Sequence, residues 1–202
     1  MTGLDYFKAQ YGLRDQSVLL FPYGSRVYGT ASEKSDQDYM AVILDKRNSI
    51  QTGEEYRHGD TNIHIYTRND WQYQLNSHKV HTLEAYYLPD GICRSQFNFK
   101  LDIVKLRHAL SEKASHSFVK AKKKIEKEKD YYIGWKSLFH SLRILTFGAQ
   151  IAQMGKIENY SAANHHWFDI LNNPHYEWDY FEDKYKPIYN ELATEFRKVA
   201  PK

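Results

Sequence analysis

Two aspartates one residue apart, Asp36 and Asp38, stand at the start of an apolar run over residues 39–44. The run is short and rich in β-forming residues, so it predicts a strand, and residues 36 and 38 of a strand project from the same face. Two carboxylates that lie so close repel each other unless a cation lies between them. Mg²⁺ is the hard ion that binds carboxylates together with substrate phosphates. Asp36 and Asp38 are therefore predicted to hold Mg²⁺ or the chemically similar Mn²⁺.

A Gly-Ser dipeptide, Gly24-Ser25, precedes the aspartates and follows a second short apolar run over residues 17–23. Glycine lets the backbone pack closely against a bound group, and the Ser25 hydroxyl with neighbouring N–H groups can hold phosphate oxygens. The spacing of Gly24 and Gly29 half-matches a phosphate-binding loop, but Thr30 stands where that motif requires lysine. The dipeptide thus predicts a phosphate site of another kind, between two strands.

The elements that must position these residues fall into two parts. The first part is predicted to mix strands and short helices, and its third strand, over residues 61–67, leads to a helix capped by Asn69 or Asp70. The remaining predicted elements of this part are strands at 17–23 and 38–44, helices at 5–11 and 80–88, and a polar loop or hairpin end at 51–59. From about residue 101 apolar residues recur at helical spacing, up to a last segment that Pro187 is expected to bend or interrupt.

The pattern Gly24-Ser25-Arg26-x-x-Gly29, continued by Ser35-Asp36-x-Asp38, resembles the signature of the DNA polymerase β-like nucleotidyltransferase superfamily. It is most similar to the branch found in phages and in bacterial RNA-repair operons, the RlaP type. The resemblance implies an α/β (α+β) fold in which a small, curved, mixed sheet forms a catalytic domain over residues 1–110. A helical region over residues 111–202 would close over the site.

The same resemblance implies an activity, the Mg²⁺-dependent transfer of a nucleoside monophosphate from a nucleoside triphosphate to an acceptor hydroxyl. Asp36 and Asp38 would bind the metal. Gly24, Ser25, Arg26 and Ser35 would contact the nucleotide. RNA and tRNA are among the open acceptors, together with protein side chains and small molecules.

A third carboxylate is expected in this superfamily on the strand beside the Asp-x-Asp strand, and here the pattern departs. Three interpretations stay open. Asp60 serves as the third catalytic carboxylate if the strand starts early, since it shares a face with Asn62 by parity. Alternatively Asn62 or His64 gives a weakened site that mainly binds one metal ion. Otherwise the carboxylate comes from elsewhere, such as Glu54 or Glu55.

A second group of polar residues lies in the helical part. Lys136, His140 and Arg143 are spaced i, i+4 and i+7, so they share one face of a helix, and leucines fill the other face. A stripe of these residues makes a poor core and a good clamp for a triphosphate, because arginine grips phosphate through two N–H groups. The segment resembles the Lys-x-x-x-His-x-x-Arg helix of the same branch, so we expect all three residues to bind nucleotide.

Composition agrees with such an enzyme without naming it. The 202 residues carry a net charge of +3, which is weak evidence for an anionic partner. A single cysteine, Cys93, excludes a disulfide framework and predicts a cytoplasmic protein, in the host cytoplasm if a phage encodes it. No apolar run reaches membrane-spanning length, so no membrane partner is expected. Two other classes stay open: a module of the same fold that binds a nucleotide or an RNA end without turnover, and an antitoxin-like partner protein.

Overall fold

The computed structural model describes residues 2–45 and 50–202, and these residues divide into two units. One unit comprises Met1–Ser77 and His81–Phe99, and the other comprises His78–Val80 and Lys100–Lys202. The boundary predicted between residues 110 and 111 falls inside a long helix, whereas the structural division lies near residue 100. The chain mixes α-helices with a β-sheet, as its sequence predicts.

A mixed four-stranded sheet organises the first unit. Its strands, in the spatial order β1-β2-β4-β3, are β1 (Val18–Tyr23), β2 (Gln37–Ile43), β4 (Thr61–Thr67) and β3 (Glu55–His58). The central strands β2 and β4 run parallel, while β1 and β3 pair antiparallel to them at the two edges. The helices before residue 100 are α1 (Gly3–Gln10), α2 (Ser25–Tyr28), α3 (Arg68–Asn76), α4 (Val80–Tyr86) and α5 (Ile92–Gln96).

Both faces of this sheet carry buried apolar side chains. On one face Phe7 of α1 packs with Ile63 and Ile65 of β4 in one cluster. On the other face the ring of Trp71 from α3 stacks on Phe21 of β1, with 5.5 Å between ring centroids. Because successive residues of a strand alternate between these two faces, each strand's register decides which polar side chains lie at its end.

Three local predictions need correction in this unit. The helix α3 is capped by Thr67, whose hydroxyl accepts the Asp70 N–H, and not by Asn69 or Asp70. The segment 51–59, predicted as a loop or hairpin end, contains the strand β3. Only Tyr56 of this edge strand is buried, so its sequence lacks the apolar alternation that marks a strand. The residues after Gly24 form one turn of helix, α2, in which the backbone N–H groups of Val27 and Tyr28 both donate to the Gly24 carbonyl.

The second unit is helical. Its first two long helices, α6 (Ile103–Lys122) and α7 (Tyr131–Met154), are joined through a π-helical turn, Lys123–Lys127. The helices α8 (Asn164–Asn172) and α9 (Trp178–Val199) pack on them around a core that includes Trp167, Trp178 and Phe181. Pro187 does not interrupt α9, whose buried aromatic residues keep the helix packed on both sides of the proline. Among residues 2–45 and 50–202, no helix combines the length and the apolar character needed to cross a membrane.

Candidate functional site

The backbone at Gly24 brings the Gly-Ser turn close to Asp38, one of the two candidate metal ligands. Gly24 follows β1 with φ +81° and ψ −157°, a conformation open essentially to glycine alone. A Cβ atom placed on Gly24 would lie 2.7 Å from Oδ2 of Asp38. Glycine is therefore required here for its backbone conformation and for the close approach of the Asp38 carboxylate. The half-buried Ser25 begins α2 directly after it.

The two aspartates converge on one side chain of the neighbouring strand. Asp38 pairs with Asn62 in the parallel β2–β4 register. The Asn62 amide nitrogen donates to Oδ2 of Asp36 at 3.0 Å and to Oδ1 of Asp38 at 3.3 Å. Asp36 lies one residue before β2 begins, so the prediction that both aspartates lie on a strand holds only for Asp38, yet both carboxylates converge on Asn62.

Asp60, the predicted third carboxylate, does not join this pair. Its carboxylate accepts a hydrogen bond from the Gln37 side-chain amide at 2.8 Å, and this bond is the main reason that the pKa of Asp60 lies below its usual value. Strand parity fails for Asp60 because it lies in the turn after Gly59 (φ +58°), before β4 begins. Within the described ranges, 2–45 and 50–202, no three His, Cys, Asp or Glu side chains form a group that could hold a metal ion. The third position is thus taken by Asn62.

The other candidates for this position are engaged elsewhere. His64 lies beside Glu55, with 3.3 Å between its Nδ1 and a Glu55 carboxylate oxygen. Glu54 accepts a hydrogen bond from the backbone N–H of Gln51 at 2.8 Å. Tyr23 lies on the same sheet face as Asp38, opposite it in the β1–β2 register, and burial together with the Asp38 carboxylate raises the pKa of the Tyr23 hydroxyl. The tyrosine is therefore neutral and adds no negative charge beside the aspartates.

Arg26 and Ser35, the predicted nucleotide contacts, organise the loop that leads to β2. The Arg26 guanidinium donates to the backbone carbonyls of Ser35 at 2.7 Å and of Asp36 at 3.2 Å. The Ser35 hydroxyl oxygen accepts the backbone N–H of Ser32 at 2.9 Å. Arg26 thereby ties the Gly-Ser turn to the first aspartate, a role that no local spacing rule would have revealed.

In the helical unit, Lys136, His140 and Arg143 all lie on α7, but they do not form the open stripe that the sequence predicts. Lys136 is exposed, His140 is half-buried, and Arg143 is only 6% exposed. The Arg143 guanidinium lies 5.5 Å from the ring centroid of Phe139 and 5.7 Å from that of Phe147. These phenylalanines stand four residues before and after the arginine, so they share its face and cover it.

His140 is held in its neutral form by burial and by the neighbouring Arg143. The two side chains meet at 2.8 Å between Nη2 of Arg143 and Nδ1 of His140. A guanidinium can only donate, so Nδ1 accepts and the ring proton lies on Nε2. Burial, followed by the charges of Arg143, Lys113 and Lys120, sets the pKa of His140 well below its ordinary value. The contact of these α7 residues with nucleotide stays a prediction.

Two comparisons with known proteins give no match for this chain. No protein-family model matches this chain. No curated protein matches it either. What can be inferred about function therefore comes from the Gly24–Asp38 contact, from Asn62 and from the residues around them.

Substituting Gly24 tests the close approach of turn and carboxylate. We expect Gly24→Ala to cost about 1–3 kcal/mol of stability through backbone strain, and more because Asp38 must move. The matched control is Gly53→Ala, since Gly53 also has a positive φ of +95° but a Cβ there would meet no atom within 4 Å. Urea unfolding measures stability, and Mn²⁺ titration followed by electron paramagnetic resonance measures ion binding. Because Asp38 must move, we also expect Gly24→Ala to bind Mn²⁺ less tightly, and Mn²⁺ affinity equal to that of the wild type would contradict this expectation.

The neutral His140 predicts a loss of stability in mild acid. The unfolded chain binds a proton at this residue below about pH 6.5, whereas the folded chain does not, so unfolding becomes more favourable as the pH falls. We expect His140 to contribute up to about 1.4 kcal/mol per pH unit to this loss between pH 6 and 5. Urea unfolding at several pH values should give a shallower slope for His140→Gln than for the wild type. His166, whose pKa is lowered to about 4 mainly by burial, should behave in the same way.

Proposed function

We propose that this protein is a metal-dependent nucleotidyltransferase of the polymerase β-like type, which transfers a nucleoside monophosphate from a nucleoside triphosphate to an acceptor hydroxyl. The observation that carries the proposal is the contact between Gly24 and the Asp38 carboxylate. It joins a turn with accessible backbone and a serine hydroxyl to a pair of converging carboxylates. Phosphate groups and a divalent cation need these two features side by side.

The residues present fit a single Mg²⁺ or Mn²⁺ ion. Two carboxylates and one amide are oxygen donors of the kind that such ions accept. The Asn62 side chain now turns its nitrogen towards both aspartates, and rotation by 180° about the bond to its amide group would turn its oxygen there instead. A bound ion would supply Lewis-acid polarisation of the phosphoryl group and neutralise the charge that develops during transfer.

The chain's own residues would bind the phosphates and position the aspartates. Gly24 and Ser25 would seat the phosphates against the aspartates, and Arg26 would hold the loop that carries Asp36 in place. In the helical unit, Lys136 offers an exposed ammonium group to an anion, and the buried Arg143 is hydrogen-bonded to His140. The acceptor stays open among RNA, tRNA, protein side chains and small molecules.

A second candidate function is favoured by Asn62. A neutral amide cannot offset the charge of a second divalent ion, so a site built on it suits one ion and slow turnover. The same geometry therefore supports a module that binds a nucleotide or an RNA end without transferring it. The two candidates share the metal and phosphate contacts and differ in turnover.

Replacing one aspartate tests metal dependence. We expect Asp38→Asn to abolish transfer of label from an α-labelled nucleoside triphosphate to an RNA pool in the presence of Mg²⁺ or Mn²⁺. Stability in urea should stay within about 0.5 kcal/mol or rise, because one of two repelling charges is removed. The control is Asp15→Asn, which alters an exposed aspartate whose ion pair with Lys8 contributes little. Undiminished transfer by Asp38→Asn would sink the assignment.

Restoring an acid at Asn62 separates the two candidates. We expect Asn62→Asp to melt below the wild type without divalent ions, since three carboxylates then repel, and to gain more stability from added Mn²⁺. The exposed Asn98→Asp is the control. A rise in transfer would mean that the neutral amide limits turnover. Nucleotide binding without transfer in either protein would favour the binding module, and an equal Mn²⁺ effect in both would contradict the placement of Asn62.

A further inference from the structure

A buried acid–tyrosine pair lies behind the Gly-Ser turn. Tyr28, the last residue of α2, is 5% exposed, and Glu84 of α4 is 4% exposed. The Tyr28 hydroxyl donates to Oε2 of Glu84 at 2.7 Å. A carboxyl group is costly to bury unless hydrogen bonds compensate for the water that it loses. The pair therefore needs an explanation beyond the filling of space, which an apolar residue would achieve at lower cost.

The element that carries Tyr28 depends on such an anchor. The helix α2 has only four residues, and an isolated helix of this length is unstable because its first turn fixes several residues for one hydrogen bond. Glycines with positive φ flank it at Gly24 and Gly29, where the chain has the greatest conformational freedom. The stability of this single turn must come from side-chain contacts, and Tyr28 is its one buried residue.

The backbone links Tyr28 to the residue that touches Asp38. The Tyr28 N–H donates to the Gly24 carbonyl at 3.2 Å, and the Thr30 N–H donates to the Ser25 carbonyl at 2.9 Å. A shift of Tyr28 would pull on the Gly24 carbonyl through the first of these bonds. The position of the turn relative to Asp38 thus depends on where the Tyr28 ring is held.

We propose that Glu84 is a positioning residue, which holds the Gly24–Ser25 turn against Asp38 by accepting the hydrogen bond of Tyr28. Glu84 acts through the tyrosine, whose hydroxyl donates to its carboxylate. The consequence for nucleotide affinity rests on the proposed function, whereas the ordering of the turn does not.

Three substitutions separate hydrogen bonding from packing. Tyr28→Phe removes only the donor, and Glu84→Leu keeps an approximate side-chain volume without an acceptor. Glu84→Gln keeps an acceptor oxygen at the same position and serves as the conservative variant. The matched control is Tyr56→Phe, because Tyr56 is also buried in the first unit, but on β3.

Amide hydrogen exchange without nucleotide tests the ordering of the turn. In Tyr28→Phe and Glu84→Leu we expect the amides of residue 28 and Thr30 to exchange at least about tenfold faster than in the wild type, with rescue in Glu84→Gln. The Ile65 amide, bonded to the Glu54 carbonyl at the β3 edge of the sheet, lies on elements other than α2 and should not change. Unchanged exchange at residues 28 and 30 in Tyr28→Phe overturns the inference, even if Glu84→Leu fails to fold.

Calorimetric titration with Mg²⁺ and ATP or another nucleoside triphosphate tests the consequence for binding. The dissociation constant should rise about tenfold in Tyr28→Phe and Glu84→Leu and return to within about threefold of the wild type in Glu84→Gln. If the wild type binds no nucleoside triphosphate, the proposed function fails while the exchange result still decides the positioning role. If the turn exchanges faster but affinity is unchanged, Glu84 orders the turn without positioning it for nucleotide, and the inference is overturned.

Discussion

The repulsion between the carboxylates of Asp36 and Asp38 is the interaction that the surrounding residues of the first unit must accommodate. Two unit charges 4 Å apart repel by about 1 kcal/mol in water and by about 4 kcal/mol near a protein surface. The Asn62 amide offsets part of this repulsion by donating to both carboxylates. Gly24 contributes by leaving room for the Asp38 carboxylate where any side chain would strike it. Asn62 thus lowers the free energy of holding two like charges together, and Gly24 leaves the space that one of them needs.

The register of the β2–β4 pair places Asn62 beside the two aspartates. In the parallel β2–β4 pair Asn62 lies opposite Asp38, and a slip of β4 by one residue would place Thr61 or Ile63 there. Such a slip would also turn the buried Ile63 and Ile65 away from the cluster that they form with Phe7. The apolar core on one face of the sheet therefore enforces the polar arrangement on the other.

Alternation and turn chemistry made much of this unit predictable. The strands β1, β2 and β4 follow from short apolar runs with period 2. The sequence does not predict β3, because an edge strand with only one buried residue lacks this period. Asp60 was misplaced because parity applies only inside a strand, and its position in a turn depends on Gly59. The burial of Arg143 does not follow from the sequence, because it depends on Phe139 and Phe147, whose spacing is visible there but whose packing on the guanidinium is not.

Whether the proposed site transfers a nucleotide or only binds it depends on the charge at the third position, beside Asp36 and Asp38. Two carboxylates carry enough negative charge to offset one divalent ion, and a third would be needed to approach the charge of two. Asn62 leaves the total at two, yet its amide can present either a donor or an acceptor to the aspartates. Without an ion the nitrogen relieves their repulsion, and with an ion the oxygen can complete its ligands. An aspartate at this position could do only the second, so asparagine keeps the pair stable without metal while lowering the charge available for catalysis.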